Sequence, residues 1–448
     1  MFVRLSIAAA LVVFVASYAF AQDPAKPTER PTGLPSAIEW TFNVDAAWGA
    51  FGFGNSLFTD PKENVRVDWG DHWFEAFVRP ALTGVYKLPN TSELYGKASV
   101  VGERTFDSPR PILGTFQQSF GPDDLNIGWR SGTSLSGLDE NAIDVLFGRA
   151  VYTIGHAFLV WDGAAEGGSR GGYWSNARKA FELAGIGRFK PGGGHTVEGF
   201  YLNKDDLPEN ETGSGVSGAN YEYRIGETST FGATYMRAFA KPDVRPLRDG
   251  MNIFYARAYT APFTAVKDLY FELEYAHERN GDLLRSDGWS TEAAYTFSKV
   301  AWSPKLSYRY AFFEGDNPAT AINESFDPLF LGFYDWSTWW QGEIAGEYFL
   351  VNSNLKSHVA RVHVAPTSKL GAGVIYYKFL NDVPAAFGPN VTSHDIAFEI
   401  DGYADWKFNK NFTLTLTGAF ADPGLAVEQS SGRTANFRYG MVFIAYSY

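Results

Sequence analysis

The ionisable side chains of this 448-residue chain recur at every second position of short stretches whose other positions are apolar. On that spacing Arg79, Lys97, Arg130, Arg178, Arg188, Arg224, Arg257, Lys305, Arg309, Arg361 and Lys378 share one face of their segments. Glu39, Asp45, Glu75, Glu103, Glu182, Glu198, Glu222, Glu272, Glu274, Glu278, Glu292, Asp395, Glu399, Asp401 and Asp405 do the same. The signs are unevenly mixed. Acids gather on 269–279 and 394–407, bases on 178–189 and 304–314. If these faces line a lumen, they set a transverse field that selects ions. The bland reading of any one residue is an Arg–Glu pair that stiffens a wall.

Catalytic chemistry finds little footing. His72, His156, His195, His277, His358, His363 and His394 form no spacing that would ligate a metal, and His358 and His363 fall on opposite faces of one strand. No Gly-x-Ser-x-Gly elbow occurs, and the GGSRGG stretch near residue 170 opens no helix that would cradle phosphate. Paired carboxylates for glycoside hydrolysis cannot be picked out without a separation. The reading is of a non-enzyme with no catalytic residue, metal or cofactor; an outer-membrane phospholipase or protease is a minor alternative.

What positions these side chains is a repeated dyad. From Trp40 the even residues of IEWTFNVDAAWGAF are apolar while Glu39, Thr41, Asn43 and Asp45 are polar, and LYFELEYAHE, HDIAFEIDGYADWK and NFTLTLTGAF repeat the pattern. Strands are expected at 38–53, 73–87, 93–106, 124–131, 141–153, 178–189, 195–203, 218–226, 230–240, 251–260, 269–279, 289–298, 304–314, 355–365, 370–380, 394–407, 411–421 and 435–448. The segment 141–153 puts Asp144 and Arg149 on opposite parity, so a bulge near Gly148 is expected to bring both inward. Connections alternate in length. LPNTS, KPGGG, GET, PTSK and NK are short, whereas 54–72, 154–177, 204–217, 315–354 and 422–434 are long. Short turns on one rim and long loops on the other describe a transmembrane antiparallel β-barrel of 18 strands, with periplasmic turns and extracellular loops. STWWQGEIAGEYFLV, 337–351, would break the even count as a strand, so it is placed in a folded loop with some helix. The final MVFIAYSY reads as the closing strand.

Composition agrees. Aromatics reach 17%, Cys is absent, and a net charge of -12 disfavours nucleic acid or an anionic lipid surface as main partner. Residues 1–21 carry Arg4, an apolar run and Ala19-Phe20-Ala21, the pattern of a signal peptide cleaved near Ala21. Residues 22–36 form a Pro-rich and charged periplasmic linker, and 37–448 the barrel. No later stretch approaches the ~18 consecutive apolar residues of a spanning helix, so the membrane is crossed by strands.

LFGRAVYTIG followed by GGYWSNARKAFELAGIGRF resembles the Gly-Arg strand, loop and Trp-x-Asn-x-Arg-x-Phe strand of the alginate export family of outer-membrane proteins. SYRYAFFEGD followed by NESFDPLF resembles that family's later aromatic strand and Phe-Asp-x-Leu-Phe loop. Ala150 stands where the family commonly has Gln. The resemblance implies an eighteen-stranded barrel. It places Gly148, Arg149, Trp174, Asn176, Arg178 and Phe181 at a lumen-and-loop wall, and Gly315, Asp316, Phe326 and Asp327 at the root of the longest loop. Arg149 and Arg178 would then join a basic constriction for a polyuronate's carboxylates, while Trp174 and Phe326 would anchor loop packing. The expected function is an outer-membrane channel of Gram-negative type for a hydrophilic solute, in particular an anionic, alginate-like polysaccharide, embedded in outer-membrane lipid and served by periplasmic export partners. The alternatives are a general or cation-preferring porin, and a structural barrel with a plugged lumen.

Overall fold

The computed structural model describes residues 38–54, 71–106, 117–161, 163–263, 265–332 and 341–448. The expected leader and linker lie outside the described residues. Alternating side chains force each segment to keep one face in lipid and one inside, and the described strands close into a ring that satisfies every edge. They are β1 (Ile38–Gly54), β2 (Asp71–Lys87), β3 (Glu93–Phe106), β4 (Gln117–Arg130), β5 (Ile143–Ala150) and β6 (Phe181–Gly192). Next come β7 (His195–Asn203), β8 (Gly215–Ile225), β9 (Ser229–Phe239), β10 (Asn252–Thr260), β11 (Leu269–Asn280) and β12 (Leu284–Thr296). The ring is completed by β13 (Lys305–Phe313), β14 (Leu355–Thr367), β15 (Leu370–Leu380), β16 (Asp395–Lys407), β17 (Phe412–Pro423) and β18 (Phe437–Ser447). Each strand pairs antiparallel with its successor in one 18-stranded sheet, and β18 pairs back onto β1. Val44 and Tyr448 exchange backbone hydrogen bonds of 3.1 and 2.9 Å at the closing seam.

The expected eighteen strands are all present, with shifted ends. β4 starts at Gln117 rather than 124 and β12 at Leu284 rather than 289, while β5 stops at Ala150. β6 starts at Phe181, so Arg178 stands in the preceding loop and not on a strand. The length alternation holds with one exception on each rim: 281–283 is a tight turn among long loops, and 131–142 a longer connection among short turns. The residues 342–346 form a π-helical turn inside loop 314–354, in keeping with the loop reading of the described part of 337–351.

Outward positions carry Phe120, Phe147, Phe254, Tyr235, Leu273, Tyr308, Val374, Ile400, Trp406 and Val442, all exposed, as a lipid-facing wall requires. Lys378, expected inside, shares the outward face of Val374 and Tyr376 and pairs with Asp395 at 2.5 Å. Its segment is aromatic on both faces, Tyr376 outside and Tyr377 buried inside, which blurs the dyad. Two bulges re-aim inward residues. In β4 the pairs Ala98–Leu125 and Val100–Pro122 leave Asp123 and Asp124 together opposite Ser99, so both carboxylates face the lumen. In β5 the register slips between Gly148 and Ala150, with Gly148 at φ 124°, the bulge anticipated there. A Cβ at Gly148 would come within 2.3 Å of the Leu125 carbonyl oxygen, so this turn of the chain needs glycine.

Candidate functional site: a lumen narrowed by two inward loops

An eighteen-stranded cylinder is too wide to be filled by its own strand side chains, and here chain segments fill part of it. The described parts of loops 151–180 and 314–354 fold inward and build two apolar cores against the inner wall. In one, Phe158, Phe326 and Phe330 pack with Tyr255, Phe313 and Leu355. In the other, Trp174, Ile344 and Tyr348 pack with Phe51, Trp73, Tyr439 and Phe443. The loops are also joined to each other. The Trp161 amide donates to the Phe330 carbonyl at 2.9 Å, the Phe330 amide to that of Leu159 at 2.9 Å, and the Gly332 amide to that of Ala157 at 2.7 Å. The Trp174 indole N–H donates to Glu343 Oε1 at 2.8 Å.

Backbone drawn into a lumen needs acceptors for its amides, and the inner acids supply them. Glu75 accepts from the amides of Trp174 at 3.0 Å and Ser175 at 2.7 Å. Asp123 Oδ1 accepts from Lys179 and Ala180, both at 2.9 Å. Glu278 takes the Asp327 amide at 2.8 Å. Around the π-helical turn, Glu399 accepts from Ile344 and Ala345 at 2.7 and 2.8 Å, and Asp401 from Glu343 at 3.0 Å. Of the acidic residues anticipated as a lumen field, Glu399 and Asp401 are therefore buried loop anchors, while Glu274 is enclosed within the wall; all three are at most 4% exposed. Glu274 accepts from the hydroxyls of Tyr255 and Tyr259, and Glu272 lies 3.2 Å from His156 of the first loop.

The basic residues divide by partner. Arg79 bridges Asp45 at 2.8 Å and Asp123 at 3.3 Å and donates to the Ala177 carbonyl, tying wall to loop. Lys97 pairs with Asp124 at 2.7 Å, Arg188 with Glu198 at 2.6 Å, Arg130 with Glu93 and Arg149 with Asp205. Arg257, fully enclosed, meets Glu222 at 2.6 Å and Asn220 at 2.7 Å. Arg178 is buried between Glu103 at 3.4 Å and Glu166 at 3.6 Å and donates to Ser119. Arg309 is buried across the ladder from Glu292, and Arg224 is exposed near the short-turn rim.

A different surrounding meets Lys305 and Arg361. Arg361 Nε donates to the Tyr403 hydroxyl at 2.9 Å, His363 Nδ1 lies 2.8 Å from the same oxygen, and Lys305 faces His363 across the β13–β14 ladder. Arg361 and His363 thus converge on one phenol, with Lys305 beside His363, on β13, β14 and β16 in the half of the lumen nearest the short turns. A carboxylate entering there would meet N–H donors of fixed direction and a ring face for a sugar. Residue spacing flagged Lys305 and Arg361 but not Tyr403, and treated His363 only as a rejected metal ligand. The flanking Gly371 and Gly373, which leave this wall low, were the available signal. Asp123 and Asp124 also escaped notice, although adjacent acids within an alternating strand signal a bulge.

The loop residues act as packing and tethers. Trp174 lies 4.7 Å from Phe443 and 5.4 Å from Phe51, ring centre to ring centre. Asn176 is buried at φ 36°, and Phe326 packs 5.4 Å from Phe313. Asp316 accepts the Glu324 amide at 3.1 Å, and Asp327 holds Arg248 at 2.7 Å. Burial alone would raise the Asp327 carboxyl, but the charge and hydrogen bonds of Arg248 carry it below the usual range. Enclosure, then the nearby Glu343 and Glu75, push the Glu347 carboxyl well up. Among the described residues no group of His, Asp and Glu is arranged to hold a metal ion.

A family model described as alginate export matches residues 252–441, the run from β10 into β18. A search of curated proteins by sequence finds no match. Among solved structures the fold is similar to Acinetobacter baumannii OccAB2, with 12% identity, 91% of this chain and 98% of that one covered and a TM-score of 0.57. Pseudomonas aeruginosa OccK5 (OpdH) is similar at 12% identity, with 90% and 97% covered and a TM-score of 0.55. Pseudomonas aeruginosa OpdK, solved with vanillate, is similar at 12% identity, with 91% and 98% covered and a TM-score of 0.52. The fold is that of an outer-membrane β-barrel, and the family match is to a channel family.

Proposed function

We propose that the barrel conducts a carboxylate-bearing saccharide across the outer membrane, an alginate-type uronate chain in the first instance. The observation that carries this is the convergence of Arg361 and His363 on Tyr403 with Lys305 beside His363, inside the segment that the alginate export model matches. Its place near the short-turn rim suits a solute gathered from the periplasm, with export partners on that side. Paired cations along β2–β10 would tune the field beyond it, and the inward loops confine the path to a narrow thread. In this reading residues 1–21 are a leader removed near Ala21 and 22–36 a periplasmic linker before the barrel at 37–448. N-terminal sequencing of the membrane-inserted protein tests that point.

The functional test is the reversal potential in a planar bilayer under a salt gradient, repeated with a uronate oligomer on one side. Anion preference with blockade by the oligomer supports the reading; cation preference without blockade refutes it. The packing of both loops into the lumen favours a second reading, passage of a small carboxylate rather than a polymer. Vanillate, with which one similar fold was solved, is a suitable probe. Blockade by vanillate and not by the oligomer would select it.

A further inference from the structure

On the outer surface, at the long-loop rim, the ladder sets Arg237 of β9 opposite Asn252 of β10, Asn252 opposite Arg279 of β11, and Arg279 opposite Arg285 of β12. All four residues belong to the outward parity of their strands, and the three arginines are exposed. Like charges directly opposed on an antiparallel pair repel, so Arg279 and Arg285 would be a poor choice in water alone. Among the described residues none of the three arginines forms an ion pair, in contrast with Lys356, held by Asp382 at 2.8 Å, and Lys378, held by Asp395 at 2.5 Å, on the same rim. The outward carboxylate of the next layer, Asp287, is occupied by Tyr275 at 2.6 Å and His277 at 2.9 Å, and Asp249 accepts the Ala240 amide. Asp282, in the turn between the two arginines, is exposed and makes no ion pair with either. That turn, 281–283, is the tight one among long loops; Asn323 of the later loop pairs with the backbone of Leu283 and Arg285, and Asn280 holds the 240–251 loop, yet the three guanidinium side chains stay exposed.

The next outward layer holds Tyr235, Phe254 and the paired His277 and Asp287, and beyond that pair the wall turns apolar and lipid-facing, with Tyr275 and Leu273 exposed. A ligand that fits must place anionic groups at the rim and acyl chains against this wall. We propose that the Arg237–Asn252–Arg279–Arg285 row is a binding site for a phosphorylated glycolipid of the outer leaflet. Strands lie about 4.8 Å apart, so Arg279 and Arg285 converge on one phosphate, each guanidinium offering a two-pronged donor set, and Arg237, about 10 Å from Arg279, reaches a second. Arg237 Nη2 lies beside Gly250 at the rim, on the Arg279 side of its strand. The site depends on the barrel and its orientation, not on which solute crosses the lumen.

The test is native mass spectrometry of the detergent-solubilised protein titrated with bisphosphorylated lipid A, dephosphorylated lipid A, phosphatidylglycerol or inorganic phosphate. The wild type is expected to take up one bisphosphorylated lipid at a concentration at least tenfold below that needed by the triple variant R237Q/R279Q/R285Q. Arg438→Gln, outward on another sector of the rim, is expected to bind like the wild type. Should the triple variant not fold, Arg285→Gln alone is expected to weaken uptake at least threefold. Equal uptake by wild type and variants overturns the site. Equal uptake of phosphatidylglycerol or of the dephosphorylated lipid overturns the assignment to a phosphorylated glycolipid, and full competition by millimolar inorganic phosphate reduces it to a free-anion site.

Discussion

Removing the Glu399 carboxylate should loosen the second inward loop without opening the barrel wall. Glu399 accepts two backbone amides of the π-helical turn, Ile344 at 2.7 Å and Ala345 at 2.8 Å, and is itself buried. Hydrogen bonds to a charged acceptor contribute about 1.5–3 kcal/mol each, so two give about 3–6 kcal/mol. Burying the carboxylate offsets part of this, leaving a net loss of roughly 2–4 kcal/mol in Glu399→Ala. That lowers the ratio of docked to undocked loop about 30- to 1000-fold. Single-channel recording in a planar bilayer is the assay. The variant is expected to show a larger mean conductance and slow steps between levels, where the wild type holds one level. Circular dichroism should show the strand content retained. A folded variant with wild-type conductance and noise would refute the idea that this contact holds a constriction in place.

Other outcomes follow from the same geometry. Lys305→Gln with Arg361→Gln should reduce anion-over-cation permeability severalfold, read from the reversal potential, while Arg257→Gln, already neutralised by Glu222, should destabilise the wall without a comparable change. Trp174→Ala removes a buried indole and its bond to Glu343 and should cost about 3–5 kcal/mol in unfolding free energy, measured by chemical denaturation in micelles. The Glu347 carboxyl is raised in the folded loop, so its share of docking is fully present below its ordinary pKa of about 4.3 and is lost as pH rises through the raised value. Conductance should therefore climb with pH, and Glu347→Gln should flatten the rise. Asp327 has the opposite sign: lowered by Arg248, it stabilises above about pH 3.9 and loses that contribution as pH falls. Deleting 318–350 should enlarge the conductance outright, and an unchanged value would mean that the path lies elsewhere.

The barrel was legible in the chain because a lipid-facing wall imposes a period of two over most of the strands. Val442, Ile444 and Tyr446 alternate with the buried Met441 and Phe443, and loop lengths then fixed which rim is which. Strand ends were less legible, since near the long-loop rim an inward residue meets another segment rather than water. Thus Tyr377 and Phe379 are apolar inside, and the alternation fades where the loops dock. The charged lining was readable as a set but not as roles. Alternation says that Glu399 points inward; it does not say that the amides of Ile344 and Ala345, more than fifty positions away, come to occupy it. Arg178 shows the same limit, because the backbone leaves the strand before reaching it and the side chain is enclosed by Glu103 and Glu166. The phenol at Tyr403 carried no sequence signal apart from its parity and the small residues Gly371 and Gly373 on the facing strand.

The closing seam bears on how the molecule comes to exist. Val44 and Tyr448 bond across β1 and β18, so the first and last strands of the ring are mutual partners across some four hundred residues of chain. Until that pairing forms, two long strands expose unsatisfied edges and seventeen other pairings depend on a sheet that is still open. Such a contact carries the largest loop-closure entropy the chain can incur, which makes unaided assembly slow and leaves the open sheet prone to pairing with its own copies. Residence in the aqueous space before insertion therefore calls for escort, and the rate at which ends meet, rather than the stability of the finished wall, sets how much protein reaches the membrane.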